Sequence, residues 1–244
     1  MKPAIKVLGV PDDINSSFMR GSSAAPPLIR EALYSASSNL FSESGLNLDQ
    51  KGIWEDLGDI EFAGQVAVEN FKKIKTFVKD VLVSDQKLVS LGGDHSVSWP
   101  ILDAHLDKWD ALDILHIDAH PDLYDSLLGN KLSHASPFAR IMETGRASRL
   151  VQVGIRTLNK HQREQAEKFG VEIYQMKDLT KLSSLSFSKP VYCSIDIDAL
   201  DPAYAPGVSH FEPGGLSTRQ LIDCLNGFKG RLIGADIVEY NPKR

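Results

Sequence analysis

Asp113-Ile-Leu-His-Ile-Asp118-Ala-His120-Pro-Asp122 and Val191-Tyr-Cys-Ser-Ile-Asp196-Ile-Asp198 are two apolar, strand-like segments that each run into a cluster of acids and imidazoles. Nearly unbroken apolar runs mark strands buried on both faces, as in parallel sheets. Side chains two and four positions apart on an extended strand share a face, so Asp118, His120 and Asp122 are expected to converge, and so are Asp196 and Asp198. Similar runs recur at Ile5–Val10, 88–91, 150–153 and 232–237.

Stretches of helical period lie between these runs. In residues 65–82, Ile74, Phe77, Val78, Val81 and Leu82 form an apolar stripe against Lys72, Lys73, Lys75, Lys79 and Asp80, which predicts an amphipathic surface helix. Ser217-Thr-Arg-Gln220 fits a capping box, and Gly227 can close the helix that follows. Strand alternating with helix predicts an α/β fold of three layers, αβα, around a mostly parallel central sheet, with ligands gathered at the carboxyl ends of its strands. Loops are expected at 15–27, 122–133 and 201–215, where glycine, proline and serine concentrate.

The 244 residues suit one α/β domain, so a single domain over 1–244 is expected. A net charge of −5 argues against a nucleic-acid or anionic-membrane surface and leaves small-molecule chemistry. Cys193 and Cys224 have neither metal-site spacing nor the density of a disulfide framework, so both are expected as free thiols. The run Ile5–Val10, broken by Pro11-Asp12-Asp13, is too short for a secretory core or a membrane span, and a cytoplasmic protein is expected. No dinucleotide fingerprint, Walker loop or serine-hydrolase elbow is present.

A third motif joins the first two. In Leu88-Val-Ser-Leu91-Gly92-Gly93-Asp94-His95-Ser96 a buried strand meets a glycine turn that ejects His95 at a helix start. His95, Asp118, His120, Asp122, Asp196 and Asp198 then make four carboxylates and two imidazoles, whose negative charge two divalent cations would cancel. A carboxylate-rich set without thiolate favours hard ions, Mn2+ above Zn2+, with Fe, Co or Ni compatible with the histidines. Two such ions roughly 3.5–4 Å apart activate water at neutral pH, which makes hydrolysis the expected reaction class. His116, alone in an apolar run, reads as a core residue, and His105 and His161, on helix-like stretches, as surface residues.

With these residues in place, the chain resembles the ureohydrolase family of arginases and agmatinases. The resemblance is carried by Gly92-Gly93-Asp94-His95-Ser96, Asp118-Ala-His120-Pro-Asp122, Ser133-His134-Ala135-Ser136, Val153-Gly154-Ile155-Arg156, Ser194-Ile-Asp196-Ile-Asp198-Ala-Leu-Asp201-Pro202 and Gly234-Ala-Asp236-Ile-Val-Glu239. The stretch from Ala205 through His210 and Glu212 to Ser217 is most similar to plant-type arginases. It implies two Mn2+ per chain, with Asp118 and Asp196 shared, His95 and Asp122 completing one ion, and His120 and Asp198 the other. Asp122, His134 and Glu239 are implied as catalytic: His134 passes a proton to the leaving amine, and Glu239 pairs with the guanidinium. Asn130, Ser133, Tyr124, Asn159 and Glu239 are implied around the substrate.

The implied reaction is hydrolysis of L-arginine to L-ornithine and urea. Agmatine, giving putrescine and urea, is the alternative, because Asn159 stands where animal-type arginases carry an aspartate toward the α-ammonium. Plant-type members share the amide. The resemblance also implies a homo-oligomer, trimer or hexamer, and a C-terminal helical end beyond the point where this sequence stops, at Arg244. A catalytically inactive, metal-poor member serving as a binding or assembly subunit is the alternative from a different class. A deacetylase-like amidohydrolase is a third reading, and the pair Asp196 and Asp198 together with His95 argues against it.

Overall fold

A computed structural model describes residues 4–179 and 185–244. Eight strands form one sheet: β1 (Ile5–Val10), β2 (Trp54–Asp59), β3 (Lys87–Gly92), β4 (Leu112–Ile117), β5 (Ala147–Ile155), β6 (Glu172–Gln175), β7 (Ser186–Asp196) and β8 (Lys229–Val238). Among the described residues six α-helices accompany them: α1 (Ala25–Leu33), α2 (Ala67–Leu82), α3 (Ser98–Lys108), α4 (Pro137–Glu143), α5 (Lys160–Phe169) and α6 (Thr218–Gly227). The sheet order is β2-β1-β3-β8-β7-β4-β5-β6, and every pairing is parallel.

The alternation of a strand sorts its side chains into two cores. Leu112, Ile114, Leu150 and Tyr192 pack with Phe71, Ile74, Ile101 and Phe138 of α2, α3 and α4. Their neighbours Leu115, Ile117, Val151, Val153, Val191, Cys193 and Ile195 pack on the other face with Leu216 and Leu221. β4 is buried at all six positions, so burial on both sides explains its unbroken apolar run. Each fully buried Leu or Ile contributes about 1.5–3 kcal/mol. α6 begins at the predicted capping box, with both reciprocal bonds between Ser217 and Gln220 formed.

Three expectations fail, each for a physical reason. β2 and β6 did not read as strands because they are the sheet's edges: β2, Trp-Glu-Asp-Leu-Gly-Asp, buries no residue and lacks an apolar run. Residues 25–27 are helix and not loop, because α1 takes its prolines in its first turn, where a missing N–H breaks no helical bond. His105 is fully buried instead of on the surface; its Nδ1 lies 2.9 Å from the Ile101 carbonyl and its ring packs edge-on against Tyr192. Among the described residues no helix is long and apolar enough to cross a membrane, and Cys193 and Cys224 are free.

Candidate metal centre and its cavity

The chain leaves the sheet centre after β3 and fills the gap only later with β7 and β8, so β3, β8, β7 and β4 lie side by side. Their carboxyl ends supply His95, Glu239, Asp196 and Asp118 in that order. Adjacent parallel strands therefore bring together residues far apart in sequence at the place where such sheets bind ligands.

Convergence beyond β4 does not come from an extended strand, as the spacing predicted. β4 ends at Ile117, and Asp122 has φ 49°, a left-handed conformation that turns its carboxylate back to within 3.1 Å of His95 Nδ1. Asp198 likewise lies in a 3-10 turn, Ile197–Ala199, after β7 has ended. Glu239 is also left-handed, φ 65°. Strained backbone of this kind persists where the surrounding structure fixes it.

His95 is fully buried, and its Nδ1 lies 3.2 Å from Asp118, 3.1 Å from Asp122 and 3.2 Å from Asp196 while making no hydrogen bond. On its far side Nε2 donates to Ser194 Oγ at 3.0 Å, and Ser194 donates to Asp236 at 2.6 Å. Tyr192 donates to the other oxygen of Asp236 at 2.8 Å. This chain holds a proton on Nε2, so a cation that displaces the proton on Nδ1 would meet its lone pair among three carboxylates, as metal-ligating histidines require. His120 Nδ1 faces Asp198 at 3.1 Å and Asp118 at 3.4 Å, and its Nε2 faces Glu212 at 3.4 Å. Asp118 thus presents one oxygen to each imidazole. The donor set fits cations: an unpartnered buried nitrogen aimed at a carboxylate cluster, with oxygens in the majority.

The electrostatics follow from burying like charges together. Burial, Asp198 and Asp118 hold Asp196 well above the usual carboxylate range. Asp198 is pushed up chiefly by burial. Burial would also raise Asp118, but His116, His120 and His95 hold it well below. His95 and His120 are raised well above 6.5 by the facing carboxylates, against the opposing effect of burial.

Above this floor a cavity of about 210 Å3 opens to solvent, lined by Ser17, His120, Asp122, Tyr124, Thr157, Gln162, His134, His210, Glu212 and Glu239 among others. Glu239 Oε1 accepts from the His95 backbone N–H at 2.9 Å and from His134 Nδ1 at 2.8 Å. Burial opposes protonation of His134, but Glu239 raises it to about 9. Glu239 is correspondingly held below its usual value by His134, against burial. His134 Nε2 lies 2.8 Å from Ser17 Oγ.

The expected substrate contacts are placed differently. Tyr124 lines the cavity, whereas Asn130, Ser133 and Asn159 do not. Asn159 Oδ1 caps α5 by accepting from Gln162 N at 2.9 Å, and its amide donates to the Tyr124 hydroxyl. Asn130 Oδ1 accepts from Leu132 N at 2.9 Å, and its amide donates to Asn15 at 3.2 Å. Ser133 is buried, with Oγ accepting from Ala135 N at 3.3 Å.

Several supporting residues escaped the sequence reading. His116 is buried as expected of a core residue, but it also donates from Nε2 to Asp118 at 2.7 Å and stacks on Phe138 with centroids 3.9 Å apart. Arg156 donates to the carbonyls of Gly154, Asp198, Ala199, Leu200 and Glu212, clamping the loops that carry Asp198 and Glu212. Asp94, beside His95, turns its carboxylate to the loop after β1 and to Ser96. It accepts from Asn15 N at 3.1 Å, Ser16 Oγ at 3.2 Å and Ser96 N at 2.9 Å, tying the loop after β1 to the site. Gly93 allows that approach, since a Cβ there would sit 2.0 Å from the Asp12 carbonyl oxygen. Spacing could not have revealed Ser17, Asp236 or Glu212, which come from loops or strands remote in sequence from the side chains they touch, His134, Ser194 and His120.

A profile of the arginase family matches residues 3–244. The chain is 47% identical to arginase 2, chloroplastic/mitochondrial, of Arabidopsis thaliana over 100% of this chain and 75% of the relative. It is 34% identical to an agmatinase of Bacillus cereus over 98% of this chain and 83% of the relative. An arginase from Medicago truncatula superposes with TM-score 0.94 at 45% identity, covering 99% of this chain and 80% of the other. The Arabidopsis relative is organellar by name, which overturns the cytoplasmic expectation. That expectation rested on the lack of a secretory core, and this separates secretion from other fates but not cytosol from organelle.

Proposed function

The chain belongs to the arginase family, and from that premise we propose that it hydrolyses L-arginine to L-ornithine and urea using two Mn2+ ions. The observation that carries the reading is the joint placement, under one cavity, of His95, Asp118, His120, Asp122, Asp196 and Asp198 beside the Glu239–His134 pair. His95 and Asp122 would hold one ion, His120 and Asp198 the other, with Asp118 and Asp196 shared. When bound, the ions supply Lewis-acid activation of water at neutral pH.

The chain's own residues do the rest. Glu212, Glu239 and Asp122 line the cavity and favour a cationic guanidinium over a neutral amide. The Glu239 oxygen not engaged by His95 and His134 takes no hydrogen bond among the described residues and is assigned to the guanidinium N–H groups. Glu239 also keeps His134 protonated at neutral pH, so His134 can give a proton to the leaving amine. Buried and fixed on both sides, the pair needs no rearrangement as charge develops.

Agmatine is the second reading, favoured by one feature: among the described residues no lysine or arginine lines the cavity to meet an α-carboxylate. Urea release from arginine and from agmatine, measured side by side after Mn2+ loading, decides between them. Absence of urea from both substrates and from other guanidino compounds would overturn the proposal.

A further inference from the structure

Both ring nitrogens of His134 are already engaged: Nδ1 by Glu239 and Nε2 by the hydroxyl of Ser17 at 2.8 Å. A proton-donating imidazole must present an N–H to its acceptor, and here the outward-facing N–H points at a serine. Ser17 and His134 both line the cavity, and Ser17 is exposed whereas His134 is buried. The hydroxyl therefore meets the Nε2 of the imidazole at the cavity wall.

Several bonds hold the two residues before Ser17. Asn15 donates its backbone N–H to Asp94 at 3.1 Å and its amide to Ser96 at 3.2 Å. Its carbonyl accepts from the backbone N–H of His134 at 3.3 Å. Ser16 Oγ donates to Asp94 at 3.2 Å. The loop before Ser17 is thus bonded both to the segment that carries His95 and to His134 itself, which sets the spacing between Oγ and Nε2.

We propose that Ser17 is a proton relay for His134, so that the proton reaches the leaving amine through the serine hydroxyl. As the guanidino C–N bond breaks, its electron pair stays on the leaving nitrogen. Ser17 Oγ gives its proton to that nitrogen and takes the Nε2 proton of His134 in the same step. The serine is unchanged, the ring is left neutral, and solvent water returns the proton. A hydroxyl is suited to this because it donates and accepts at once. The inference rests on the role proposed for His134.

Steady-state kinetics of Ser17→Ala, Ser17→Thr, His134→Ala and the double variant Ser17→Ala/His134→Ala, in the metal-loaded enzyme, test it. Ser17→Ala should lower kcat on arginine by about a hundredfold, the lower end of the range of a lost proton-transfer group. It should leave KM little changed and cost nothing further in the His134→Ala background. Ser17→Thr should restore most of the rate. The analogue with oxygen bonded to the leaving nitrogen departs as a weakly basic alkoxyamine, and Ser17→Ala should scarcely slow it. That selectivity would not follow from a merely structural loss. If Ser17→Ala keeps full kcat while His134→Ala is slow, the relay is wrong and the shuttle role stands. If His134→Ala is itself fully active, the shuttle reading and the relay fail together.

Discussion

The floor of the site and its rim are built on opposite principles. On the floor, the neighbouring ends of β3, β7 and β4 deliver the candidate ligands, and each histidine is gripped from behind: His95 by Ser194, itself held by Asp236, and His120 by Glu212. On the rim, Asn159 caps α5 and Asn130 closes its own turn, and each gives its amide to one neighbouring loop, to Tyr124 and to Asn15. The floor is specified by the sheet, where a shift would break many bonds at once, whereas the rim is specified by local turns that can vary separately.

Substitution on the floor should sharpen that contrast most. Asp118→Ala withdraws the carboxylate that faces both imidazoles, and both ions and all measurable urea release should be lost, as metal analysis with an activity assay will show. His134→Ala should retain the metals but lower kcat by roughly 10²–10⁴, the contribution expected of positioned proton transfer. Unchanged metal content separates this result from the first. Asp236→Asn or Ser194→Ala acts one bond further back and should weaken Mn2+ binding about 10–100-fold, measured by titration calorimetry, with a smaller effect on the saturated rate.

On the rim the expected effects are smaller. Asn159→Ala removes a helix N-cap, worth about 1 kcal/mol, and should lower the melting temperature with little change in kcat. A large change in the preference for arginine over agmatine would break the contrast by showing that Asn159 reads the substrate. The His134–Glu239 pair gives a pH test. His134 is raised to about 9, so its part of the pair's stability is complete below the ordinary histidine value and is lost as pH rises through about 9. Glu239 is lowered, so its part is complete above the ordinary glutamate value and is lost as pH falls through its folded one. The stability gap between the parent and Glu239→Gln, followed by thermal melts of the metal-free protein, should therefore be widest near neutrality and narrow toward both extremes.

The same division decides what the sequence made legible. Central strands announce themselves because burial on both faces demands unbroken apolar residues, and the acids at their ends stand out against that background. β2 and β6 are edges and carry no such demand. The prolines of α1 read as a loop because a first helical turn and a turn look alike in composition. His116 read as a core residue because it is one; only the paired ladder of β4 and β5, which sets Gln152 against its Nδ1 and leaves Nε2 for Asp118, reveals its second task. Contacts between elements remote in sequence, such as Ser17 with His134 or Arg156 with the carbonyls after β7, have no periodicity to betray them.

Urea release and bound Mn2+, measured on the same samples as the metal is titrated in, test directly whether two Mn2+ ions on this floor serve arginine hydrolysis. Arginine turnover should rise with occupancy and reach its maximum at two ions per chain, exceeding agmatine turnover throughout. Two ions bound with no urea released, or full turnover with fewer than two, would contradict it.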